Sequence, residues 1–261
     1  MRNIFCVPRP LPKAAEARAS RRSVEVNPTN LRRVAVGGGR RGGQRRIVVV
    51  KEWKWPKHGV NLSVQFLDAP TSELRKRILL HMNAWAKAAN VKFAETHGTG
   101  EVRIARLDRP ASVAGYWSYL GTEILGIDED EPTMNLEGFT MKETESEFRR
   151  VVRHEAGHTL GFDHEHMRPE IVDRIDPAKA YKYFRLRYDW SKRDVDDQVL
   201  TSLDEASVMG TSASDPLSIM CYQLPGTIMK DRKPVPGGLD INRTDASFAG
   251  SLYPKRVRRR R

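Results

Sequence analysis

The sequence predicts an α+β fold built around a mixed, twisted sheet. Short segments of strand character, interrupted by one helix, occupy the first half of the chain. Helical segments dominate the second half, and strands followed by helices are typical of α+β domains. The chain has 261 residues, 39% of them hydrophobic, which is enough to bury a core.

The strand segments are short and apolar. Residues 47–50, Ile-Val-Val-Val, can form a first strand. Residues 60–67 alternate apolar and polar side chains, as a half-buried strand does. Further strands are predicted at residues 91–93, 102–105, 115–120 and 133–136.

Three helices are predicted from capping residues and apolar spacing. Thr71 or Ser72 caps the first, which carries apolar residues along one face. The second runs over about residues 142–160, and Gly161 ends it because glycine adopts the left-handed conformation common at helix ends. The last spans about residues 242–252.

Charge divides the chain into three parts. Residues 1–50 are predicted to be a basic, flexible N-terminal extension and a candidate pro-segment, with a glycine-rich linker at 37–43. Residues 51–254 form one folded domain, and residues 255–261 are an arginine-rich tail. Residues 1–46 carry +10 and the tail +6, so the remainder of this +12 chain is mildly acidic. Basic ends can bind nucleic acid or an anionic surface, although solvated tails are the simpler interpretation.

Neither a secretory nor a membrane-spanning segment is evident. No apolar run approaches the roughly 20 residues that a transmembrane helix needs. The proline-broken N-terminus does not resemble a signal peptide. The two cysteines, Cys6 and Cys221, cannot form a disulfide framework. We expect a cytoplasmic protein by default, with non-classical export left open.

Four of the seven histidines lie between residues 154 and 166. Residues four apart on a helix share a face, so His154 and His158 present two imidazoles that one zinc ion can bridge. Glu155 lies near the same rim, from which it can reach a metal-bound water without being a ligand. The sequence H-E-x-x-H arises by chance in about one chain of this length per hundred.

Two residues beyond the helix complete the predicted site. Gly161 lets the chain turn, and His164 follows as a third imidazole. Three protein ligands leave a fourth position for water, which is typical of catalytic rather than structural zinc. The sequence therefore predicts one catalytic Zn²⁺ ion. His166 is predicted to lie at the surface or near the site, not to be a ligand.

These residues resemble the H-E-x-x-H-x-x-G-x-x-H motif of the metzincin metallopeptidases. Residues 161–169 are similar to the astacin subgroup, in which glutamate follows the third histidine. Residues 218–222, Ser-Ile-Met-Cys-Tyr, are similar to the astacin methionine turn, with cysteine in place of histidine. The similarity extends over about residues 53–254.

The resemblance implies a zincin-like (metzincin) fold, with an active-site helix, a C-terminal helix and a cleft. It implies that residues 51–254 are the catalytic domain of a zinc metalloendopeptidase acting on peptide or protein substrates. Met220 is expected to form an apolar floor under the zinc histidines. Tyr222 is expected to be a fifth zinc ligand that swings away to stabilise the oxyanion; the alternative is a half-buried core tyrosine.

Three further positions are less clearly interpreted. In astacins the residue matching Glu165 binds the trimmed N-terminus, a role in conflict with a long N-terminal extension. Cys6 is expected to be an idle cysteine, with a zinc-capping thiolate that keeps the enzyme latent as the alternative. Trp117 and Tyr119 lie, by resemblance, on a strand at the edge of the cleft that could pair with an extended peptide; packing in the core is the alternative.

The expected reaction is metal-assisted hydrolysis of an internal peptide bond. Zinc activates a water, Glu155 takes its proton as general base, and Tyr222 donates to the oxyanion. The alternative function is a zinc-binding pseudoenzyme or recognition module with basic tails for anionic surfaces. Intact Glu155 disfavours this alternative, because ligands alone would suffice to bind the metal.

Overall fold

The computed structural model describes residues 6, 9–36, 46–51, 53–110, 114–202 and 214–255. Seven strands are present in this part of the chain. They are β1 (Leu31–Val36), β2 (Arg46–Lys51), β3 (Val60–Phe66), β4 (Val91–Glu95), β5 (Val102–Ala105), β6 (Tyr116–Ser118) and β7 (Met134–Leu136). The predicted strands are therefore confirmed to within a few residues.

A five-stranded sheet in the order β4-β3-β5-β7-β6 forms the upper half of the domain. Four strands are parallel, and β6 runs antiparallel to β7 at one edge, so the sheet is mixed as predicted. All four residues of the central β5 are buried, as expected for a strand covered on both faces. β1 and β2 form a separate antiparallel pair.

Eight α-helices accompany these strands in the described residues. They are α1 (Lys13–Val26), α2 (Ser72–Met82), α3 (Glu145–Glu147), α4 (Arg153–Thr159), α5 (Pro169–Val172), α6 (Pro177–Tyr188), α7 (Lys192–Val195) and α8 (Arg243–Leu252). Thr71 caps α2, since its side chain accepts a hydrogen bond from the Leu74 N–H, and Asn242 caps α8 in the same way. Both predicted starts are confirmed.

The predicted helix over residues 142–160 forms in three joined parts. α3 and α4 are connected by a π-helical turn, Phe148–Val152. Phe148, Val151 and Val152 are buried, and the π-helical turn that carries them packs on α2. Gly161 follows with φ of +90°, as predicted for a residue that reverses the chain after a helix.

Buried aromatic side chains hold the end of α4 in place. The Trp55 indole donates to the Thr159 carbonyl at 2.8 Å, and the Tyr253 hydroxyl donates to the Leu160 carbonyl at 2.7 Å. These bonds satisfy carbonyl groups that a helix end leaves without a partner inside the helix. The rigid upper half thus determines where the chain leaves the helix.

A second apolar cluster builds the lower half of the domain. It joins α6 and α7 to the segment after the methionine turn, through Phe184, Val195, Val199, Leu224 and Val235. Phe184 stacks on Trp190 with ring centroids 5.0 Å apart. The cleft lies between this cluster and the sheet.

The N-terminal region differs from the flexible extension expected from its charge. α1 packs on the segment Gly121–Gly126, and Ser23 and Thr122 share a 2.7 Å hydrogen bond between their hydroxyls. Asn30 donates to the Lys54 carbonyl at 2.8 Å. The sequence does not indicate that α1 packs on the domain, because the buried face of this helix consists of small residues, Ala15, Ala19 and Ser23.

Two predicted segments lie outside the described residues. These are the glycine-rich linker, residues 37–43, and nearly all of the arginine-rich tail, residues 256–261. Within the part of the chain that is described, no helix has the length and apolar character needed to cross a membrane.

Candidate metal centre and active site

Three imidazoles converge at the floor of the cleft. His154 and His158 project from one face of α4, and His164 reaches them after the turn at Gly161. Their Nε2 atoms are 3.0 Å (His154 to His158), 3.1 Å (His154 to His164) and 3.0 Å (His158 to His164) apart. All three side chains are buried. The predicted ligand set is therefore assembled at one point.

Hydrogen bonds on the far side of the rings set their tautomers. His154 Nδ1 donates to the Ile219 carbonyl and His158 Nδ1 to the Phe162 carbonyl, each at 2.7 Å. The Nε2 atoms of these two rings consequently present lone pairs to one another. Burial lowers the pKa of His158 to about 4 and holds those of His154 and His164 well below their usual range.

Neutral imidazole nitrogens whose lone pairs face one another at this distance repel each other unless a cation lies between them. Zinc bound tetrahedrally, with Zn–N near 2.0–2.1 Å, places its nitrogen ligands about 3.3 Å apart. The observed separations of 3.0–3.1 Å come close to that value. Ligand type, spacing and the hydrogen bonds at Nδ1 thus fit a zinc centre.

Glu155 lies beside the three imidazoles and is itself buried. Burial raises the pKa of its carboxyl to about 8, although a contact with Cys6 opposes the shift. A carboxyl whose pKa lies near neutrality can both accept and release a proton at physiological pH. Its position and its protonation equilibrium suit the predicted general base.

Cys6 lies in the site, so the expectation of an idle cysteine is wrong. One ligand atom from each of Cys6, His154, His158 and His164 lies within 4.8 Å of all the others. The thiol also donates to Glu155 Oε2 across 3.6 Å. Burial and the nearby Glu155 carboxyl raise the pKa of this thiol well above its usual range. Cys6 would therefore be within reach of a metal ion held by the three imidazoles.

Cys6 and Arg9 lie against the edge strand β6. Cys6 forms a parallel bridge with Tyr116 of β6, and its carbonyl accepts a hydrogen bond from the Tyr222 hydroxyl. The Arg9 guanidinium then lies 4.4 Å above the centre of the Trp117 ring. These contacts could not be predicted from the sequence, because Cys6 is 149 residues from Glu155 and no spacing rule links the two.

The methionine turn supports the imidazoles from below. A β-carbon at Gly157 would lie 2.6 Å from Met220 Sδ, so Gly157 is required for this packing. Asp245 of α8 accepts from the Ser218 hydroxyl at 2.6 Å and from the Ile219 N–H at 3.0 Å. Met220 is thus placed where the resemblance implies an apolar floor.

Tyr222 and His166 form a stacked pair next to His164. Their ring centroids are 3.8 Å apart and their planes differ by 15°. His166 is 0% exposed, which excludes the predicted surface position and leaves the position near the site. Burial raises the pKa of Tyr222 well above its usual range, so its hydroxyl keeps its proton and can donate.

Trp117 and Tyr119 belong to the core. Both are buried, and their rings pack edge to face 5.6 Å apart. The strand that carries Trp117 is nevertheless at the sheet edge, and Tyr116 provides its main-chain pairing. The edge strand is where it was predicted, whereas the side chains follow the core alternative.

Glu165 binds its own chain. Its Oε1 accepts from the Asp215 N–H at 2.8 Å, and the Arg168 guanidinium lies 3.6 Å away. Burial raises the pKa of this carboxyl to about 7. The contact joins the loop after the third histidine to the loop before the methionine turn.

A cavity of about 380 Å³ opens beside Glu155 and Tyr222. Its walls are mainly apolar and come from both halves of the domain. They include Tyr116, Val151, Ile219, Leu224, Val235 and Pro236. Arg150 also lines it, bound by two hydrogen bonds to Glu147. Sequence reasoning did not find this cavity, because its walls are far apart in the chain.

Comparisons with known proteins agree with this geometry. The sequence model of the Astacin peptidase family matches residues 48–224. Myroilysin is 31% identical, with a TM-score of 0.71 over 78% of this chain and 97% of that chain. A crystal structure of myroilysin gives 32% identity and a TM-score of 0.58, covering 78% and 86%.

A more distant structure shares the fold. High choriolytic enzyme 1, a hatching enzyme zinc-protease from the medaka fish Oryzias latipes, is 18% identical with a TM-score of 0.53. That alignment covers 78% of this chain and 95% of the medaka chain. A search of curated proteins returns no match.

Proposed function

The chain belongs to the astacin family of zinc metallopeptidases, and we propose that it is an endopeptidase which Cys6 keeps latent. The convergence of three buried imidazole Nε2 atoms beside a buried carboxyl is the observation that carries the proposal. His154, His158 and His164 would hold the metal. When bound there, zinc acidifies a water and polarises the scissile carbonyl.

Glu155 and Tyr222 handle the protons of the reaction. The Glu155 carboxylate accepts a proton from the attacking water and passes it to the nitrogen of the leaving amine. The Tyr222 hydroxyl donates a hydrogen bond to the oxygen that becomes negatively charged as the carbonyl is attacked.

An extended internal segment of a peptide suits the cleft. β6 is an edge strand, so its main-chain groups can pair with a strand that lies in the cleft. The bridge between Cys6 and Tyr116 illustrates such pairing with the protein's own N-terminal segment. The apolar cavity beside Glu155 can receive a large apolar side chain of the substrate.

Cys6 makes the described state a latent one. The Cys6 sulfur would supply a fourth ligand to a zinc ion held by the three histidines, in place of the reacting water, because zinc binds thiolate well. Cys6 also accepts a hydrogen bond from the Tyr222 hydroxyl, and Arg9 lies over Trp117 of the edge strand. Residues that precede α1 therefore act as a pro-segment, whose displacement opens the site.

One set of variants tests the proposal. Cys6→Ala removes the thiolate, and the full chain is expected to cleave an unfolded protein at least tenfold faster than wild type. Cys6→Ala combined with Glu155→Gln is expected to bind one zinc per chain and to lose at least about 10³-fold in kcat. Exposed Glu129→Gln in the same background is the matched control and keeps full activity. Cleavage is followed on a quenched fluorescent peptide and zinc by elemental analysis.

Two outcomes contradict the proposal. If the Glu155→Gln variant cleaves as fast as its Glu129→Gln control, the assigned base is wrong. If Cys6→Ala binds zinc and stays inactive on every unfolded substrate, the chain is a zinc-binding pseudoenzyme. Loss of activity on adding a chelator, restored by zinc, separates metal-dependent cleavage from a contaminating protease.

A further inference from the structure

His166 occupies a position between the lower core and the reacting atoms. It follows the third metal-binding histidine by two residues, and its side chain is fully buried. Its Nε2 donates to the Gln198 carbonyl at 2.9 Å. Gln198 belongs to a π-helical turn, Asp196–Leu200, which the buried Val199 anchors in the second apolar cluster. The imidazole is therefore fixed from behind.

The opposite contact of His166 is the ring of Tyr222. The two rings are nearly parallel, with centroids 3.8 Å apart and planes 15° from each other. His164 touches the same tyrosine at 4.6 Å and at an angle of 59°. Contacts on the ring restrict the two side-chain torsions of Tyr222, and these torsions determine where its hydroxyl points.

A direct role of His166 as a metal ligand does not fit these contacts. The metal-binding group of the described residues comprises Cys6 and three other histidines, and it does not include His166. Its Nε2 is already committed to the Gln198 carbonyl. A fully buried, planar, aromatic residue therefore lies beside a tyrosine whose hydroxyl orientation matters for the proposed reaction.

We propose that His166 is a positioning residue that holds the Tyr222 hydroxyl in place by stacking on its ring. This inference rests on the proposed function, in which Tyr222 donates to the oxyanion. A preorganised donor stabilises the transition state because no reorganisation is needed when charge develops. The stack thus contributes to kcat and leaves substrate binding almost unchanged.

The test uses two variants in the full chain carrying Cys6→Ala. His166→Phe keeps a flat aromatic ring, and His166→Met fills a similar volume without one. His166→Met is expected to lower kcat about tenfold with little change in KM, whereas His166→Phe stays within about threefold. When Tyr222→Phe is present, which alone costs about 10²-fold, His166→Met is expected to have no further effect.

Non-additivity is the decisive readout, because a general loss of structure would lower kcat equally in both backgrounds. The proposal is overturned if His166→Met lowers kcat by the same factor in the Tyr222 and the Tyr222→Phe backgrounds. It is also overturned if His166→Phe lowers kcat as much as His166→Met does. Zinc content and Tm verify that each variant is folded. If His166→Met yields no folded protein, His166→Phe decides alone: retained kcat supports the stack, and a loss above about tenfold overturns it.

A second readout does not depend on peptidase activity. Tyr222 donates to the Cys6 carbonyl, so loosening Tyr222 also loosens the segment that carries Cys6. In the chain with Cys6 present, His166→Met is expected to raise the rate of Cys6 alkylation by iodoacetamide severalfold, and His166→Phe is expected to leave it unchanged. Equal alkylation rates in both variants contradict the stack even if no cleavage is ever observed. The labelled peptide is identified by mass spectrometry, which separates Cys6 from Cys221.

Discussion

At the scale of single residues, the site depends on where each imidazole carries its proton. His154 and His158 donate from Nδ1 to main-chain carbonyls, which orients their Nε2 lone pairs toward the same point. These carbonyls belong to Ile219 and Phe162, on two different loops. The hydrogen bond from His154 therefore ties the methionine turn to the active-site helix, and a metal ion held by these imidazoles would stabilise both.

The metal-binding triad could be predicted from spacing alone, because helical periodicity places His154 and His158 on one face and a glycine allows the return of His164. The position of Cys6 at the site and the stacking of His166 on Tyr222 could not be predicted in this way. Their contacts depend on how a distant N-terminal segment and a π-helical turn pack around the cleft, and local pattern carries no signal for either.

Glu123 provides a pH-dependent test of the packing above the site. Its carboxylate accepts from the Leu120 N–H at 3.0 Å, yet burial raises its pKa to about 7. In the unfolded chain the pKa of a glutamate is about 4.3, so the folded state favours the protonated form. The stability that this carboxyl contributes is complete below about pH 4.3 and is lost as the pH rises through about 7.

Replacement Glu123→Gln keeps an acceptor for Leu120 and removes this titration. At pH 8 the variant is expected to have a higher free energy of unfolding than wild type by about 1–3 kcal/mol, and at pH 4.5 the two should be equal. Urea denaturation at both pH values gives the difference. A difference that is the same at both pH values contradicts the assigned burial of the carboxyl.

At the scale of elements, most strands and the helices α2, α3–α4 and α8 follow from capping residues and apolar patterns, whereas the highly charged stretch that contains α5, α6 and α7 shows no such pattern. Thr71 and Asn242 mark their helices, and alternation marks β3. α1 is not predicted by such patterns, because its contact face consists of small side chains and its sequence is strongly basic. This helix packs by a close approach of its backbone to Gly126 and not by burying large apolar side chains. A β-carbon at Gly126 would lie 2.4 Å from the Ala19 β-carbon.

The docking of α1 predicts contrasting effects of two identical substitutions on the same helix. Ala19→Glu places a charge where Ala19 is fully buried against Gly126, so it is expected to lower the free energy of unfolding by about 3 kcal/mol. Ala17→Glu, on the exposed side, is expected to change it by less than about 0.5 kcal/mol. Chemical denaturation of both variants measures the contrast.

Equal stability of the two variants would show that α1 does not pack on the segment Gly121–Gly126. Unequal stability as predicted separates two parts of the N-terminal region. Cys6 then lies at the site, and α1 belongs to the folded domain. Displacement of Cys6 would not require α1 to leave.

At the scale of the whole molecule, the fold brings two apolar clusters to opposite sides of one cleft. The upper cluster includes the sheet and the helix face opposite the histidines, and the lower one includes α6, α7 and the segment after the methionine turn. Cys6 and the three histidines, the group that could hold a metal ion, lie where these clusters meet. Cys6 belongs to the lower cluster, so the contacts that place it at the histidines are also contacts of the fold.

X-ray absorption at the zinc edge tests most directly whether three histidines and Cys6 share one zinc ion. The full chain is expected to show three nitrogen ligands at about 2.0–2.1 Å and one sulfur at about 2.3 Å. In Cys6→Ala the sulfur should be replaced by a nitrogen or oxygen ligand, with the three nitrogens retained. Zinc without imidazole ligands, or a sulfur that persists in Cys6→Ala, would contradict the account.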